Sequence, residues 1–462
     1  MRLSFHNSKL ESLKNISGWG KTNPVDVDII TPETIEEIKI IINNSKAKSI
    51  ISRGLGRSYG DAAQIKEGKV LKLNNFKKIT PNYQKCEITA QAGATFEEIL
   101  KVIIPKGFFL PVTPGTKKIT LGGAIAADVH GKNHHIDGSF GNYIKRIRLI
   151  NGSGENINLS PINQNQLENN EKFWATIGGM GLTGIIIDAT FSIIPIQTSL
   201  IKTEISRHDN LDDLMQKMLE ADEKYKYSVA WIDSMNNGLR GILTCGNHIT
   251  NKDLGNSKDQ NYLSFNSKSF TNIPNLIPIN LMQRTFIKLF NELWFRKTSK
   301  NITKKLMTIE KFFYPLDAIN NWNNIYGRKG FIQYQLFVPE EQKKLIKKIL
   351  YKLKSINALT FLPVLKRLGA ANQGYLSFPS PGWTLSIDLP APNQKIENVL
   401  KEIDKEIAEI GGRFYLAKDS RQSEHIFKKT YPSLDTWKKV QTRLDPEGKF
   451  ISDMAVRLRI FD

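Results

Sequence analysis

Three glycine-rich segments carry the residues whose types and spacing are best suited to chemistry. The first, residues 52–61, reads SRGLGRSYGD and follows an apolar run that predicts a strand. Closely spaced glycines let a backbone turn sharply and present N–H groups to an anion, and Arg53 and Arg57 would add charge for a pyrophosphate. The segment is not a dinucleotide-binding GxGxxG motif, because no helical pattern follows it, and it lacks the GKS or GKT of a Walker A loop.

The second and third segments place small residues next to predicted strands. Residues 111–135 read PVTPGTKKITLGGAIAADVHGKNHH, and residues 173–184 read FWATIGGMGLTG. A backbone with so little side-chain cover usually lies against something flat or charged. His130, His134 and His135 raise the alternative of a metal site, but no carboxylate or cysteine stands at ligand spacing beside them, so we predict no metal. A turn-rich structural role is the alternative for each segment taken alone.

The elements that must position these segments alternate between strands and helices. Residues 24–30 (PVDVDII) predict a strand, and Thr31 predicts the N-cap of a helix that reads IEEIKIIINNSK after Pro-Glu. The run SIIS then returns as a strand and completes a βαβ unit. Thr95 and Glu98 form a capping box ahead of the helical run FEEILKVII.

The composition changes near Pro195, where a second domain is expected to begin. Residues 209–225 predict a helix between two strands, residues 248–285 are polar and predict a long loop, and GFIQYQLFV and WTLSIDL predict strands. The last fifty residues are expected to return to the first domain. The predicted boundaries are 1–195, 196–412 and 413–462.

Composition excludes several classes of protein. The chain has 462 residues, a formal net charge of +20 and only two cysteines, Cys86 and Cys245, which excludes a disulfide scaffold. Neither a signal sequence nor a spanning helix is predicted, since the best apolar run, 181–196, is too short. We expect a cytoplasmic protein, with peripheral contact at the inner membrane left open. Nucleic-acid binding is not expected, because the lysines are dispersed rather than gathered in a stripe.

Together the three segments resemble the FAD-binding domain of the vanillyl-alcohol oxidase type. The runs RGLGRSYGD, PGTKKITLGGAIAADVHGKNHH, GSFGN, FWATIGGMGLTGI and AKDSR are also similar to the decaprenylphosphoryl-β-D-ribose 2-oxidase family. The similarity extends over nearly the whole chain in order, through the runs AWIDS, ELWFRK, PLDAINNWNNIYG, GFIQYQ, FPSPGW and SDMAVRL. The resemblance implies an α+β fold: a two-subdomain FAD-binding domain of the vanillyl-alcohol oxidase type plus an antiparallel-sheet α+β substrate domain.

The same resemblance implies non-covalently bound FAD. The implied cofactor-binding residues are Arg53, Gly54, Leu55, Gly56, Arg57, Ser58, Tyr59, Gly115, Thr116, Thr120, Gly122, Gly123, Ala126, His130, Gly131, Gly181, Gly184, Ile185 and Tyr415.

The implied reaction is oxidation of the C2 hydroxyl of a polyprenylphosphoryl pentose to a 2-keto sugar, the first half of an epimerisation. A separate NAD(P)H-dependent ketoreductase would complete it. Lys418 and His130 are the implied catalytic residues. The implied substrate-binding residues are Lys366, Gln333, Gln335, Trp231, Thr384, Ser386 and Lys418. The alternative is a soluble sugar-alcohol or aldonolactone oxidase of the same flavin fold.

The sequence departs from the family pattern at three positions. Ser386 stands where actinobacterial members have a cysteine that nitroaromatic inhibitors attack, Thr384 replaces an asparagine, and Ala127 replaces a second cysteine. A further segment, RTFIKLFNELWFRK at 284–297, is amphipathic and basic. It suits a lid over a lipid-linked substrate, with an ordinary surface helix as the alternative.

Overall fold

The computed structural model describes most of the chain. The described residues are 9–161, 167–254, 262–267, 269, 271–274, 283–358, 360, 362–391 and 393–461.

The first 195 residues form short strands and helices. The strands are β1 (Lys9–Ile16), β2 (Val25–Thr31), β3 (Ile50–Arg53), β4 (Lys69–Lys72), β5 (Ile79–Asn82), β6 (Glu87–Gln91), β7 (Phe108–Phe109), β8 (Ile144–Ile150), β9 (Asn156–Leu159), β10 (Ile185–Ser192) and β11 (Ile194–Pro195). The helices are α1 (Ile35–Asn43), α2 (Phe96–Ile103), α3 (Leu121–Ala126), α4 (His134–Asp137) and α5 (Leu167–Thr176).

The rest of the chain has longer strands and helices. The strands are β12 (Leu200–His208), β13 (Tyr227–Ile232), β14 (Gly241–His248), β15 (Thr271–Asn272), β16 (Thr303–Thr308), β17 (Ile319–Asn320), β18 (Phe331–Pro339), β19 (Val364–Leu368), β20 (Gly382–Pro390) and β21 (Arg413–Phe414). The helices are α6 (Leu211–Asp222), α7 (Arg284–Lys297), α8 (Ile309–Phe313), α9 (Lys344–Ser355), α10 (Gln394–Glu409), α11 (Glu424–Thr430), α12 (Leu434–Leu444) and α13 (Asp453–Arg457).

Two sheets make the framework of the N-terminal part. One has the strand order β1-β2-β4-β3 and the other, which is antiparallel, has the order β5-β6-β10-β8-β9. One continuous apolar core fills the space around both sheets, and it includes side chains of α11 and α12 from the end of the chain. Trp437 of α12 is fully buried there and donates its indole N–H to the carbonyl of Ala175 at 2.9 Å.

A large antiparallel sheet dominates the remainder, with the order β16-β12-β14-β13-β19-β20-β18-β21. Helices α6, α9 and α10 cover one face with apolar side chains and form a second core. The structure is therefore mixed α+β with a large antiparallel sheet. The opposite face of this sheet faces the N-terminal part.

Two helix N-caps were predicted from the sequence, and the structure bears out one of them. The capping box of Thr95 and Glu98 is present, as predicted. The helix predicted to begin after Thr31 begins instead after Thr34, whose hydroxyl accepts from the N–H of Glu37 at 3.2 Å. Thr34 lies three residues before a glutamate, which is the better capping arrangement, so the Thr31 prediction was wrong.

The structure bears on the predicted βαβ unit and on part of the predicted long loop. Strands β2 and β3 lie in one sheet and are both parallel to β4, which sits between them. The loop predicted over 248–285 falls in part outside the described residues. Within the described part of the chain, no helix combines the length and apolarity needed to cross a bilayer.

The C-terminal helices are tied to the first glycine-rich segment by a charged cluster. The Arg457 guanidinium donates twice to Asp61, at 2.8 Å each, and lies 2.9 Å from the Asp419 carboxylate. A third hydrogen bond reaches the carbonyl of Gln422 at 2.8 Å. Both carboxylate side chains are buried, so the arginine is the countercharge that makes their burial tolerable.

We predict that Arg457→Ala lowers the free energy of unfolding by about 3 kcal/mol, because it leaves two buried carboxylates without their partner. Urea denaturation followed by tryptophan fluorescence would measure the loss. Arg459→Ala is the matched control, since that side chain is 64% exposed and has one ion-pair contact at 3.5 Å. Its effect should stay within about 0.5 kcal/mol. Equal losses in the two variants would contradict the role assigned to Arg457.

Candidate active site

A cavity of about 700 Å³ lies where the N-terminal sheets, the large sheet and the C-terminal turn meet. Its wall is formed by residues 52–59, 114–130 in part, Met180 to Ile186 in part, and the polar face of the large sheet. All three glycine-rich segments therefore reach one cavity. Its size is within the range usual for ligand and cofactor sites.

The first segment forms a loop with two differently used arginines. Arg53 donates to the carbonyls of Ala63 at 3.0 Å and Ser17 at 2.6 Å, so its guanidinium braces the loop from within. Arg57 stacks over the Trp19 ring at 3.8 Å, and its buried Nε has no hydrogen-bond partner among the described residues. Arg57 is thus the better placed of the two to meet an anion in the cavity.

The second segment enters the cavity at the start of α3. Thr120 caps this helix by accepting from the N–H of Gly123 at 3.3 Å, and the backbone N–H of Gly122 donates to Ala92 at 2.9 Å. The capped end is lined by small residues, and the space above Gly115 is open. This wall presents backbone rather than side chains, which suits a flat ligand with anionic groups.

The polar wall opposite follows from strand alternation. Successive side chains of a strand point to opposite faces. In β18 and β20, Leu336, Leu385 and Ile387 are fully buried in the second core. The intervening residues face the cavity side, namely Gln333, Gln335, Thr384, Ser386 and Asp388. Lys366 of β19 joins them, because it pairs with Thr384 in the ladder.

His130 sits at the centre of this wall. Its Nε2 lies 3.0 Å from the amide nitrogen of Gln335, and its Nδ1 lies 3.5 Å from the Lys366 ammonium nitrogen. Burial, with smaller effects from Lys366 and nearby charges, holds the pKa of His130 well below its usual value. The imidazole is therefore neutral, and it accepts from Gln335 or from Lys366 but not from both.

Lys418 approaches the cavity from the C-terminal turn. Its Nζ lies 3.9 Å from the centroid of the Tyr59 ring, on the first glycine-rich loop. Burial lowers the pKa of Lys418 to about 7, Asp388 opposes this shift and Lys366 adds to it. A lysine with such a pKa is present both as an ammonium and as a free amine near neutrality, and can therefore give or take a proton.

Two further lysines share this low-dielectric region. Burial lowers the pKa of Lys366 to about 8 and that of Lys132 to about 7, with Lys366 adding to the shift at Lys132. Burial also raises the pKa of Asp388 to about 7, although its hydrogen bond from Gln333 at 2.6 Å opposes the rise. Lys366 and Lys418 line the cavity, and Lys132 and Asp388 lie near enough to interact with them, so several groups at or beside the cavity change charge near pH 7. Such a cluster is typical of catalytic and binding sites.

The structure brings most of the predicted site residues to the cavity, and four lie outside its lining. Ile185 points into the core while Ile186 faces the cavity, as alternation along β10 requires. Gly131 packs against the Thr113 backbone. Trp231 lies one strand farther away, paired with Val364, and Thr384 sits behind Gln335, from which it accepts a hydrogen bond at 3.1 Å.

Several residues in or beside the cavity were not predicted from the sequence. Asp388 stands two residues after Ser386 on the same strand face, so alternation in WTLSIDL could have indicated it. Asp388 lies behind the cavity lining, whereas Lys118, Asp317 and Trp322 line the cavity itself. The last two come from the region between α8 and β18, whose sequence has no glycine-rich signal. No group of three or more potential metal ligands occurs in the part of the chain that the structure describes.

Comparisons with known proteins give two family matches and several relatives. A family model described as "FAD binding domain" matches residues 28–160, and one described as "D-arabinono-1,4-lactone oxidase" matches residues 335–458. The chain is 35% identical to decaprenylphosphoryl-beta-D-ribose oxidase of Mycolicibacterium smegmatis, over 97% of this chain and 98% of that protein. It is 26% identical to D-arabinono-1,4-lactone oxidase of Debaryomyces hansenii, over 40% of this chain and 34% of that protein.

The cavity fits the cofactor that the first family model names. The buried, unpartnered Nε of Arg57 is suited to a phosphate oxygen, and Lys118 adds a cation to the same wall. The open space above Gly115 and the small residues at the start of α3 leave room for a flat ring system. FAD contains a pyrophosphate for the cationic groups and a flat ring system for the open space.

We predict that Lys418→Met raises the free energy of unfolding, and by more at pH 7 than at pH 10. Burial lowers the pKa of Lys418 from 10.5 to about 7, so between these values the unfolded chain holds a proton that the folded chain has released. Lys418 therefore costs more stability as the pH falls from 10.5 toward 7, and methionine removes that cost. Urea denaturation of both proteins at the two pH values would measure the difference.

The matched control for this prediction is Lys401→Met, on the exposed side of α10. Its effect on stability should be small, because the side chain is exposed to solvent. A gain of equal size at pH 7 and pH 10 in Lys418→Met would contradict the depressed pKa.

Proposed function

This chain belongs to the decaprenylphosphoryl-β-D-ribose oxidase family of FAD-linked oxidoreductases, and we propose that it oxidises the C2 hydroxyl of a polyprenylphosphoryl pentose to the 2-keto sugar. The observation that carries the proposal is the convergence of Lys418, Lys366 and His130 on a cavity whose opposite wall is bare backbone. This arrangement has a place for a flat redox cofactor and, facing it, groups able to handle a proton and a phosphate.

FAD would be held without a covalent bond, in a domain of the vanillyl-alcohol oxidase type. Arg57 and the loop around it would meet the pyrophosphate, and the start of α3 would lie along the ring system. FAD, when bound, supplies the acceptor for the hydride that leaves C2 of the sugar. The residues of this chain would hold the sugar in place and accept the proton of its C2 hydroxyl.

Lys418 is the proposed base for that proton. As a free amine it accepts the proton of the C2 hydroxyl while the C2 hydride departs, so that charge and electrons balance in the alcohol-to-ketone step. Its pKa of about 7 keeps a useful fraction in the amine form at neutral pH. Asp388 opposes further lowering of this pKa and so helps the resulting ammonium to persist.

His130 and Lys366 are proposed to orient the two ends of the substrate's polar part. The neutral His130 ring is fixed by Gln335 and by contacts with Tyr415 and Phe378, whose ring centroids lie 5.4 and 5.7 Å from its own. Such a ring can accept from or donate to a sugar hydroxyl without adding charge. Lys366, a partly buried cation that lines the cavity, suits the phosphate that joins sugar to lipid.

The second candidate is a soluble sugar-alcohol or aldonolactone oxidase. The observation that favours it is the match of residues 335–458 to the arabinonolactone oxidase model, because that range includes Lys366, Ser386 and Lys418. The 35% identity to the decaprenylphosphoryl-ribose enzyme extends over 97% of the chain and supports the first candidate more broadly.

A separate NAD(P)H-dependent ketoreductase is the proposed partner. The 2-keto sugar regains its hydroxyl, with the opposite configuration, only if a second enzyme delivers a hydride to the ketone. The pair would then act as an epimerase in cell-envelope synthesis. A lipid-linked substrate also places this chain beside a membrane, in peripheral contact on its cytoplasmic side.

We predict that anaerobic mixing with polyprenylphosphoryl ribose bleaches the flavin absorbance, whereas free pentitols and aldonolactones do so at least a hundredfold more slowly. The reason is that only the first substrate offers a phosphate to Lys366 together with a hydroxyl to Lys418. Stopped-flow absorbance of the FAD-loaded protein would give the rates. Bleaching by the soluble sugars alone would reject the lipid-linked assignment and favour the second candidate.

Lys418→Met is the control for the chemical step. It should keep its bound FAD, since the flavin-binding walls are elsewhere, and lose about a hundredfold or more of the bleaching rate. Lys401→Met should behave as the unchanged protein.

We also predict that nitroaromatic inhibitors which label a cysteine in related enzymes leave this protein unmodified. Ser386 lines the cavity at that position, and a serine hydroxyl is not ionised near neutral pH, so it is a much weaker nucleophile than a thiolate. Intact-mass spectrometry after turnover with inhibitor would test this. Ser386→Cys is the matched variant and should gain one adduct, whereas an adduct on Ser386 itself would refute the prediction.

A further inference from the structure

Helix α7 is apolar on two separate sides. Its inner side is fixed to the connection between β13 and β14. Ile287 is fully buried, Phe295 packs beneath the Arg240 guanidinium at 4.2 Å, and the buried Asn291 donates to Asp233 at 2.7 Å. These three residues recur every four positions, as expected of one helix face. They account for the attachment of the helix and leave its other apolar side unexplained.

The outer side exposes five large apolar side chains in succession. Their exposed fractions are Phe286 43%, Leu289 59%, Phe290 39%, Leu293 61% and Trp294 46%. The rings of Phe290 and Trp294 stack with centroids 6.3 Å apart. We call these five residues the α7 outer face. Single exposed leucines are ordinary on protein surfaces, but five adjacent large side chains on one helix face mark an interaction site.

The surroundings of the α7 outer face are basic. Residues 284–306 contain seven lysines or arginines and one acidic residue, Glu292. Glu292 pairs with Arg240 and with Arg296, so its charge is already neutralised within the protein. Two more large apolar side chains, Ile302 and Leu306, are 59% and 51% exposed just beyond the helix. The segment therefore combines exposed apolar groups with an uncompensated positive charge.

The helix also lies next to the cavity described above. Ile287 packs in a small core together with Tyr59 and Trp322. Both of those residues line the cavity. A ligand held at the α7 outer face is thus separated from the cavity by the thickness of one helix and this small core.

We propose that the α7 outer face docks this protein on an anionic lipid bilayer. The five apolar side chains enter the boundary between headgroups and acyl chains, and the surrounding lysines and arginines contact the lipid phosphates. The charge decides between a bilayer and a protein partner, because the basic residues around the patch complement a surface of anionic headgroups. The idea that docking brings a lipid-linked sugar to the cavity rests on the proposed function. Binding to the bilayer does not depend on that function.

The test is co-sedimentation of the full-length FAD-loaded protein with vesicles. We expect binding to phosphatidylcholine vesicles that contain 30% phosphatidylglycerol, on the order of tenfold weaker binding at 0.5 M salt, and little binding to phosphatidylcholine alone. The triple variant Leu289→Gln/Leu293→Gln/Trp294→Gln should lose at least tenfold in affinity. Because all three side chains are exposed, the variant should keep its circular dichroism spectrum and its flavin content.

Two controls make the result specific to this face. Ile40→Gln removes an apolar side chain that is 46% exposed on α1, as Trp294 is on α7, and should leave vesicle binding unchanged. Lys288→Gln/Lys297→Gln should weaken binding, whereas Lys401→Gln/Lys405→Gln on α10 should not.

Failure of the unchanged protein to bind the anionic vesicles would overturn the proposal. Equal binding by the unchanged protein and the triple variant would overturn it as well. So would binding of the α7 outer face to the ketoreductase in the absence of vesicle binding, because this would assign the face to a protein partner. Flavin bleaching by a water-soluble short-chain substrate, measured without vesicles, keeps failure of docking distinct from failure of the proposed reaction.

Discussion

The contact on which the site depends joins the first glycine-rich loop to the C-terminal turn. The N–H of Tyr59 donates to the carbonyl of Ala417 at 2.9 Å, and the backbones come so close at Gly60 that a Cβ there would overlap the carbonyl oxygen of Asp419. Tyr59 and Lys418 face each other because of this contact. The Arg457 cluster holds the same junction from outside, so the position of Tyr59 on the cavity wall and that of Lys418, the proposed base, are set by one joint.

The electrostatic character of the site follows from its closure. Asp388 is buried and Lys418, Lys366 and Lys132 are partly buried, and burial moves the pKa of each toward neutrality. On an open surface the same residues would have fixed charges at pH 7 and could neither take nor give a proton readily. Burying several ionisable groups costs stability, and the large apolar cores on both sides supply the compensation.

The sequence revealed the site through two kinds of signal and missed it where neither was present. Glycine-rich runs mark places where backbone must approach a ligand, so Arg57 and Gly122 were predicted, whereas Gln335 was implied by the resemblance to a family. Strand alternation marks the polar side of the large sheet and could have indicated Gln335 and Asp388. Trp322 and Asp317 were missed, because they come from an irregular stretch with no periodicity. The opposite roles of Arg53 and Arg57 were also beyond sequence reasoning, since both belong to one motif and only folding turns one inward. Resemblance to a family supplied the reaction, which spacing alone could not.

The joint between residues 59–61 and 417–419 also has a consequence for biosynthesis. The first loop leaves the ribosome long before its partner turn is made, and at typical translation speeds the interval is roughly half a minute. During that time the strands of the N-terminal part can pair, but the pocket has no wall on the C-terminal side. Stable capture of the cofactor must therefore follow the synthesis of that turn. If synthesis stalls before this turn is made, the nascent chain exposes an unfinished pocket. Such a chain is a natural substrate for chaperones and proteases.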